Sequence, residues 1–327
     1  MPLSPSYAGD EMAASRASIM ALLHRLQNGL SHPPIEIVHL PHSRWPLPKS
    51  PPNRNTLQVM VLDASFNPPT LAHLSLANTL PSCSNKKEET ETMYTNDIPH
   101  YDAKLLLLSV RNADKALKPG DATHMQRLHM MEIFSRHVTH HNNIQHSQEL
   151  PNLAIAIIDE PTFVGKSSIL QTFFKNWFAA TPHNPHYDIQ LNFMLGFDTL
   201  ERLIQPRYYG SQEQMLTSLR KFLSPGPEGD NSRVICARRA SSSFSATFGH
   251  SSESTELALV QEFIASGRIS IIDIEEDVRS YSSSEVRDTI RRLGLESREW
   301  RKLVPNDVAT YIIRENLYST DPYPETM

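Results

Sequence analysis

The sequence is poor in cysteine, in long apolar runs and in surplus positive charge. Its two cysteines, Cys83 and Cys236, stand far apart in 327 residues. They offer no CxxC pair and no Cys/His spacing, which excludes a disulfide framework and a zinc finger and fits a reducing compartment. No apolar run approaches the ~20 residues that a membrane-spanning helix needs. Near the N-terminus Asp10 and Glu11 stand where a secretory signal would have a compact apolar stretch, so no such signal is expected. A net charge of -5 argues against a nucleic-acid surface as the main business, while leaving room for a local basic pocket that holds phosphates. Internal repeats are absent. The chain is therefore expected in the cytoplasm, with the nucleus as a second compartment, and without nucleic-acid or membrane partners. The amphipathic stretch Ser15 to Leu30 is read as a packing or regulatory extension in preference to a mitochondrial presequence. Nothing in the sequence fixes the oligomeric state.

What is present is ordinary for a soluble enzyme: 39% apolar and 20% charged residues, with ample chain for a core. Residues 1–57 read as an extension. It has a helix over 11–30, carrying Ile19, Leu22, Leu23 and Leu26 at helical spacing, and then an irregular stretch set by Pro33, Pro34, Pro41, Pro46, Pro48, Pro51 and Pro52. Residues 58–318 read as the main domain and 319–327 as a tail. In the domain, short apolar strands (58–62, 104–110, 153–159, 190–196, 233–239, 268–274) alternate with helices (123–137, 166–178, 215–223, 256–267, 283–294, 305–317). That alternation predicts an α/β fold, a parallel sheet with helices on both faces. Pro81–Asp102 and Ser241–Thr255 are polar and turn-rich and read as surface insertions. The irregularly spaced histidines between His137 and His146 read as loop residues, and no metal site is expected.

Ligands of such sheets lie beyond the carboxyl ends of the strands. Four ends carry chemistry. The first is LDASFNPPTLAH, Leu62 to His73: a strand leads into a turn with Ala64, Ser65 and Phe66, and Thr70 and His73 stand at the start of the next helix. A helix N-terminus presents free N–H groups that favour phosphate. The second end carries Lys115 and Lys118. The third is Gly196-Phe197-Asp198, where glycine admits a ligand to the backbone and a buried carboxylate at the strand end can accept from ribose hydroxyls. The fourth is Ser282-Ser283-Ser284-Glu285-Val286-Arg287, with hydroxyls, helix N–H groups and an arginine one turn on. Each has a plain alternative, in caps and solvated charges; Asp198, for one, could be a helix N-cap. VGKSS, Val164 to Ser168, has the look of a P-loop tail, but Glu160 stands where that motif needs glycine.

Taken in order, these boxes resemble those of the nicotinamide mononucleotide adenylyltransferases, in the nucleotidyltransferase superfamily with (H/T)xGH and ISSTxxR signatures. LDASFNPPTLAH resembles G-S-F-N-P-x-T-x-x-H, GFD resembles G-A-D, and YSSSEVR resembles ISSTxxR. LVPNDVATYIIRENLY, Leu303 to Tyr318, resembles the family's C-terminal helix. The resemblance runs from about Gln58 to Tyr318 and is greatest to a divergent fungal subgroup, the promoter-of-filamentation type. The sequence departs from the pattern at Ala64, where the family has glycine, at Ser284, where it has threonine, and at Tyr209, where it commonly has a tryptophan that stacks on nicotinamide.

The resemblance implies a Rossmann-like nucleotidyltransferase fold and transfer of AMP from ATP to nicotinamide mononucleotide, without a covalent enzyme intermediate. It implies catalytic roles for His73, Thr70 and Arg287. It implies ATP contacts from Ser65, Phe66, His73, Gly196, Asp198, Arg239, Ser283, Ser284 and Arg287, and mononucleotide contacts from Ala64, Ser65, Lys115, Lys118 and Tyr209. Mg²⁺ would bridge the ATP phosphates with few protein ligands. The competing readings are a transferase for nicotinate mononucleotide or pantetheine phosphate, and a binding protein on a decayed enzyme fold.

Overall fold

The structure, a computed structural model, describes residues 5–50, 52, 54–81, 100–111, 119–139, 151–180, 187–238 and 261–319. Among these, seven strands form one sheet: β1 (Ile35–His39), β2 (Thr56–Asp63), β3 (Ala103–Ser109), β4 (Leu153–Ile158), β5 (Asp188–Gly196), β6 (Arg233–Ala237) and β7 (Ile269–Ile272). Their order is β1-β4-β3-β2-β5-β6-β7. β1 runs antiparallel to β4, and every other pairing is parallel. Counted from β2, the six parallel strands lie in the order 3-2-1-4-5-6, the Rossmann arrangement. The chain builds outward from β2 to one side, then returns to start again at β5. The crevice between β2 and β5 is therefore the topological switch point.

Alternate residues of each strand go to opposite faces, and each face has its own core. Met60, Leu62, Leu106, Leu108, Ile155 and Ile157 join one cluster; Val59, Val61, Leu105, Leu107, Ala154 and Ala156 join the other. The first is covered by α1 (Pro5–Gln27), α2 (Leu71–Ala77), α3 (His124–Ser135), α7 (Ser283–Leu293) and α8 (Asn306–Arg314). The second is covered by α4 (Phe163–Ala180), α5 (Phe197–Leu203) and α6 (Gln212–Leu223). Burial on both faces is why the strands read as unbroken apolar runs.

The expected Rossmann-like fold is the one observed, with two corrections. The proline-rich stretch is not irregular throughout: it contains edge strand β1, and Trp45 and Leu47 beyond it are buried in the second core. A short helix, α5, follows β5 directly, where the helix pattern marked none before residue 215 and only the reading of Asp198 as a cap allowed one. The N-terminal helix packs: Ile19, Leu23 and Leu26 are buried in the first core. Of the helix expected over 256–267, residues 261–265 are helical and 251–260 lie outside the described residues. No described helix is long and apolar enough to cross a membrane.

Candidate active site

β2 ends at Asp63, and the chain turns through Ala64 to Pro69 before α2 begins. Phe66 takes φ 44, a left-handed conformation that bulky residues rarely adopt, while its ring is fully buried. The Ala64 N–H is held by Leu107 O at 3.3 Å, and the Ala64 side chain packs against the first core. The N–H groups of Ser65, Phe66 and Asn67 donate to no backbone carbonyl among the described residues. Free N–H groups in such a turn form an anion-binding nest.

Thr70 and His73 close a capping box at the start of α2. The Thr70 N–H donates to His73 Nδ1 at 3.1 Å, and the Thr70 hydroxyl lies 2.8 Å from the same nitrogen. A backbone N–H can only donate, so Nδ1 holds a lone pair and the ring proton sits on Nε2. Burial lowers the His73 pKa to about 4, which keeps the ring neutral at physiological pH. Thr70 itself is fully buried. Its hydroxyl lies against His73 Nδ1, so Thr70 aims the histidine.

The start of α7 meets this turn. Ser283 Oγ donates to Pro68 O at 2.7 Å, and Arg287 Nη1 donates to Asn67 O at 2.5 Å. The three serines divide their labour. Ser282 caps α7 by accepting from the Glu285 N–H, Ser283 holds the turn, and exposed Ser284 accepts from Arg287 Nη2 at 3.3 Å. Asp121 gathers the cations nearby, 3.5 Å from Arg287 Nε, 3.9 Å from Arg127 Nη2 and 4.0 Å from Arg291 Nη2. Buried Arg127 also donates to Ala122 O and, at 3.4 Å, to Ser65 O. Asp121 and Arg127 were missed by the sequence reading; a lone arginine inside the apolar face of α3 was the available signal.

Across the switch point, Gly196 is the N-cap of α5 and a Cβ there would meet nothing within 4 Å. The open approach expected of this glycine is present. Asp198 is not the cap; it sits in the first turn of α5, exposed where a buried carboxylate was expected. Tyr209 follows a 3₁₀ turn (Pro206–Tyr208), packs against the second core and donates its hydroxyl to Leu203 O at 2.8 Å. Lys115, Lys118 and Arg239 lie outside the described residues.

A buried ion pair underlies the site. Lys166 Nζ lies 2.5 Å from Asp63 Oδ2, and both side chains are almost wholly buried. Lys166 belongs to the stretch that looked like a P-loop tail. Glu160 accounts for the false likeness: its carboxylate accepts from the N–H and hydroxyl of Thr162, and a Cβ on Gly165 would fall 2.3 Å from Glu160 Cδ. The loop is filled by its own glutamate, and its lysine is turned inward to the end of β2. Among the described residues, no three His, Cys, Asp or Glu side chains group as a metal site would require.

A curated relative carries the name of the resembled family. The chain is 29% identical over 181 residues to a Schizosaccharomyces pombe protein named "Putative nicotinamide mononucleotide adenylyltransferase". The match covers 55% of this chain, and the chain spans about half (53%) of the relative's length. No family model matches. Among solved structures, a Plasmodium falciparum nicotinic acid mononucleotide adenylyltransferase complexed with NaAD is 16% identical, with a TM-score of 0.43 over 80% of this chain and 97% of that one. The same enzyme complexed with APC is 15% identical, with a TM-score of 0.41 over 80% and 97%.

Proposed function

We propose that the chain transfers AMP from ATP to nicotinamide mononucleotide, giving NAD and pyrophosphate. One observation carries the reading. The SFNP-x-T-x-x-H turn and the SSSEVR helix start, 215 residues apart for Ser283 and Pro68, join by hydrogen bonds at the carboxyl end of the central strand, beside the switch point. An oxygen of the mononucleotide 5′-phosphate attacks the α-phosphorus in line as the bond to the bridging oxygen of pyrophosphate breaks. Such chemistry asks for positioning and charge stabilisation. The neutral Nε2–H of His73 donates to the α-phosphoryl oxygens as charge builds. The N–H groups of Ser65 and Phe66 cradle phosphate, and Ser284 and the Arg287 edge of α7 face the β- and γ-phosphates. In this reading Gly196 and Asp198 serve the ribose and Ala64 and Tyr209 the mononucleotide, while the roles of Lys115 and Lys118 toward the mononucleotide and of Arg239 toward adenine rest on the sequence resemblance alone. Mg²⁺ would arrive with ATP and, when bound, would neutralise phosphate charge. The setting is the cytoplasm.

The test is to incubate the purified full chain with ATP, Mg²⁺ and, separately, nicotinamide mononucleotide, nicotinate mononucleotide and pantetheine phosphate, resolving products by chromatography. NAD with an equal amount of pyrophosphate is expected from the first. Product from another acceptor alone would reassign the substrate. ATP hydrolysis without any adduct would refute the transfer.

A further inference from the structure

The C-terminal box LVPNDVATYIIRENLY plays no part in the chemistry above, yet its last residue ends inside the phosphate turn. Tyr318 Oη donates to Asn67 Oδ1 at 2.9 Å across 251 residues of chain, and both side chains are buried. The Ala122 N–H reaches the same oxygen at 3.3 Å. Because a backbone N–H can only donate, it decides which way the Asn67 amide faces, and Tyr318 holds it there. The backbone on either side of this contact is unusual. Phe66 and Tyr318 are the two aromatic residues with positive φ among the described residues, at 44° and 65°. Bulky residues keep such conformations only where surrounding contacts over-determine them, and they gather at functional sites. Here both belong to one hydrogen-bonded unit, Phe66-Asn67 with Tyr318.

We infer that Tyr318 is a positioning residue of the active site, whose hydroxyl fixes Asn67 and through it the phosphate-binding turn that leads to Thr70 and His73. The catalytic part of this rests on the adenylyltransferase reading; the positioning part does not. Burial pushes the phenol well above its ordinary pKa, so it remains a donor throughout the working pH range. Ser283 and Arg287 grip the carbonyls of Pro68 and Asn67 from α7. Tyr318 grips the side chain between them. The carboxyl-terminal segment thereby shapes a turn formed early in the chain.

Tyr318→Phe removes one oxygen and keeps the ring. Expected are a kcat lowered by roughly tenfold or more, as misplacement of a catalytic group produces, an ATP KM changed by less than about twofold, and faster amide hydrogen exchange in residues 62–74. A purely structural tyrosine would lower the melting temperature and leave kcat of the folded protein untouched. Added to Asn67→Ala, which already removes the oxygen that Tyr318 holds, Tyr318→Phe should lower kcat little further. Wild-type kcat in Tyr318→Phe overturns the catalytic part, and unchanged exchange over 62–74 overturns the positioning itself. If the wild-type chain forms no dinucleotide at all, the proposed function fails, while the exchange experiment still decides whether Tyr318 holds the turn.

Discussion

His73 is best understood through its partner. Thr70 claims Nδ1, burial keeps the ring neutral, and Nε2–H is left as the donor. His73→Ala should cost ~10²–10³ in turnover, the usual cost of losing one transition-state donor, with an unchanged circular dichroism spectrum. Turnover like wild type would remove His73 from the mechanism. The same histidine sets a pH dependence. Its unfolded form takes a proton near 6.5 and its folded form only near about 4. In that window the unfolded state binds more protons, so stability falls as pH drops from 6.5 towards 4. Burial lowers His39, His42, His124 and His129 as well, adding the same sign. Thermal melts should give a lower midpoint at about pH 5 than at about pH 7, with a smaller difference in His73→Ala. A midpoint that rises on acidification would contradict this assignment.

At the same scale, Lys166 and Asp63 make a sharp test of what lies beneath the turn. Removing one partner of a buried pair strands the other charge, which costs ~3–5 kcal/mol, whereas replacing both with apolar side chains is often near neutral. Urea unfolding of Lys166→Met should show the loss, and Asp63→Leu with Lys166→Met should recover most of it. Equal destabilisation by the single and double variants would mean that packing, not charge, is at stake. The pair was hidden in the sequence because its halves are 103 residues apart and each had a local reading, Asp63 as a strand end and Lys166 as part of a false phosphate loop.

Among elements, the start of α7 has two tasks, and Arg287 combines them. It donates to Asn67 O and flanks Asp121, so it is part of the wall as well as the charge proposed to meet phosphate. Arg287→Ala should raise the ATP KM roughly tenfold or more, since a charged hydrogen bond is worth ~1.5–3 kcal/mol, with a smaller change for the mononucleotide. A measurable loss of melting temperature should accompany it. A mononucleotide KM that moved alone would reverse the placement of the two sites. Elements with a strong period and apolar strands were legible to within a few residues: β3, β4, α3 and α7 lie where their patterns put them. β1 was not, because Pro33, Pro34 and Pro41 bracket it; an antiparallel edge strand tolerates such neighbours, and only its pairing with β4 defines it. α5 was missed because its seven residues are too few to display a helical period.

For the whole molecule, the sheet order explains why boxes spread from residue 62 to 318 can serve one site. β2 starts the sheet, β5 restarts it beside β2, and α7 and Tyr318 return to the turn that β2 began. Motif order along the chain was visible in the sequence; the hydrogen bonds that make the boxes one object were not, since no spacing encodes contacts between residues 200 and more apart. The N-terminal segment is tied into the same body through α1 and β1. The central claim is that this body moves an adenylyl group, and the fate of a radiolabel tests it most directly. ATP labelled at the α-phosphate, given with Mg²⁺ and nicotinamide mononucleotide, should place its label in the dinucleotide, while label at the γ-phosphate should leave as pyrophosphate. Release of the γ-label as orthophosphate, with no α-label in a dinucleotide, would make the chain an ATP-hydrolysing or ATP-binding protein on a nucleotidyltransferase-like frame and contradict the account.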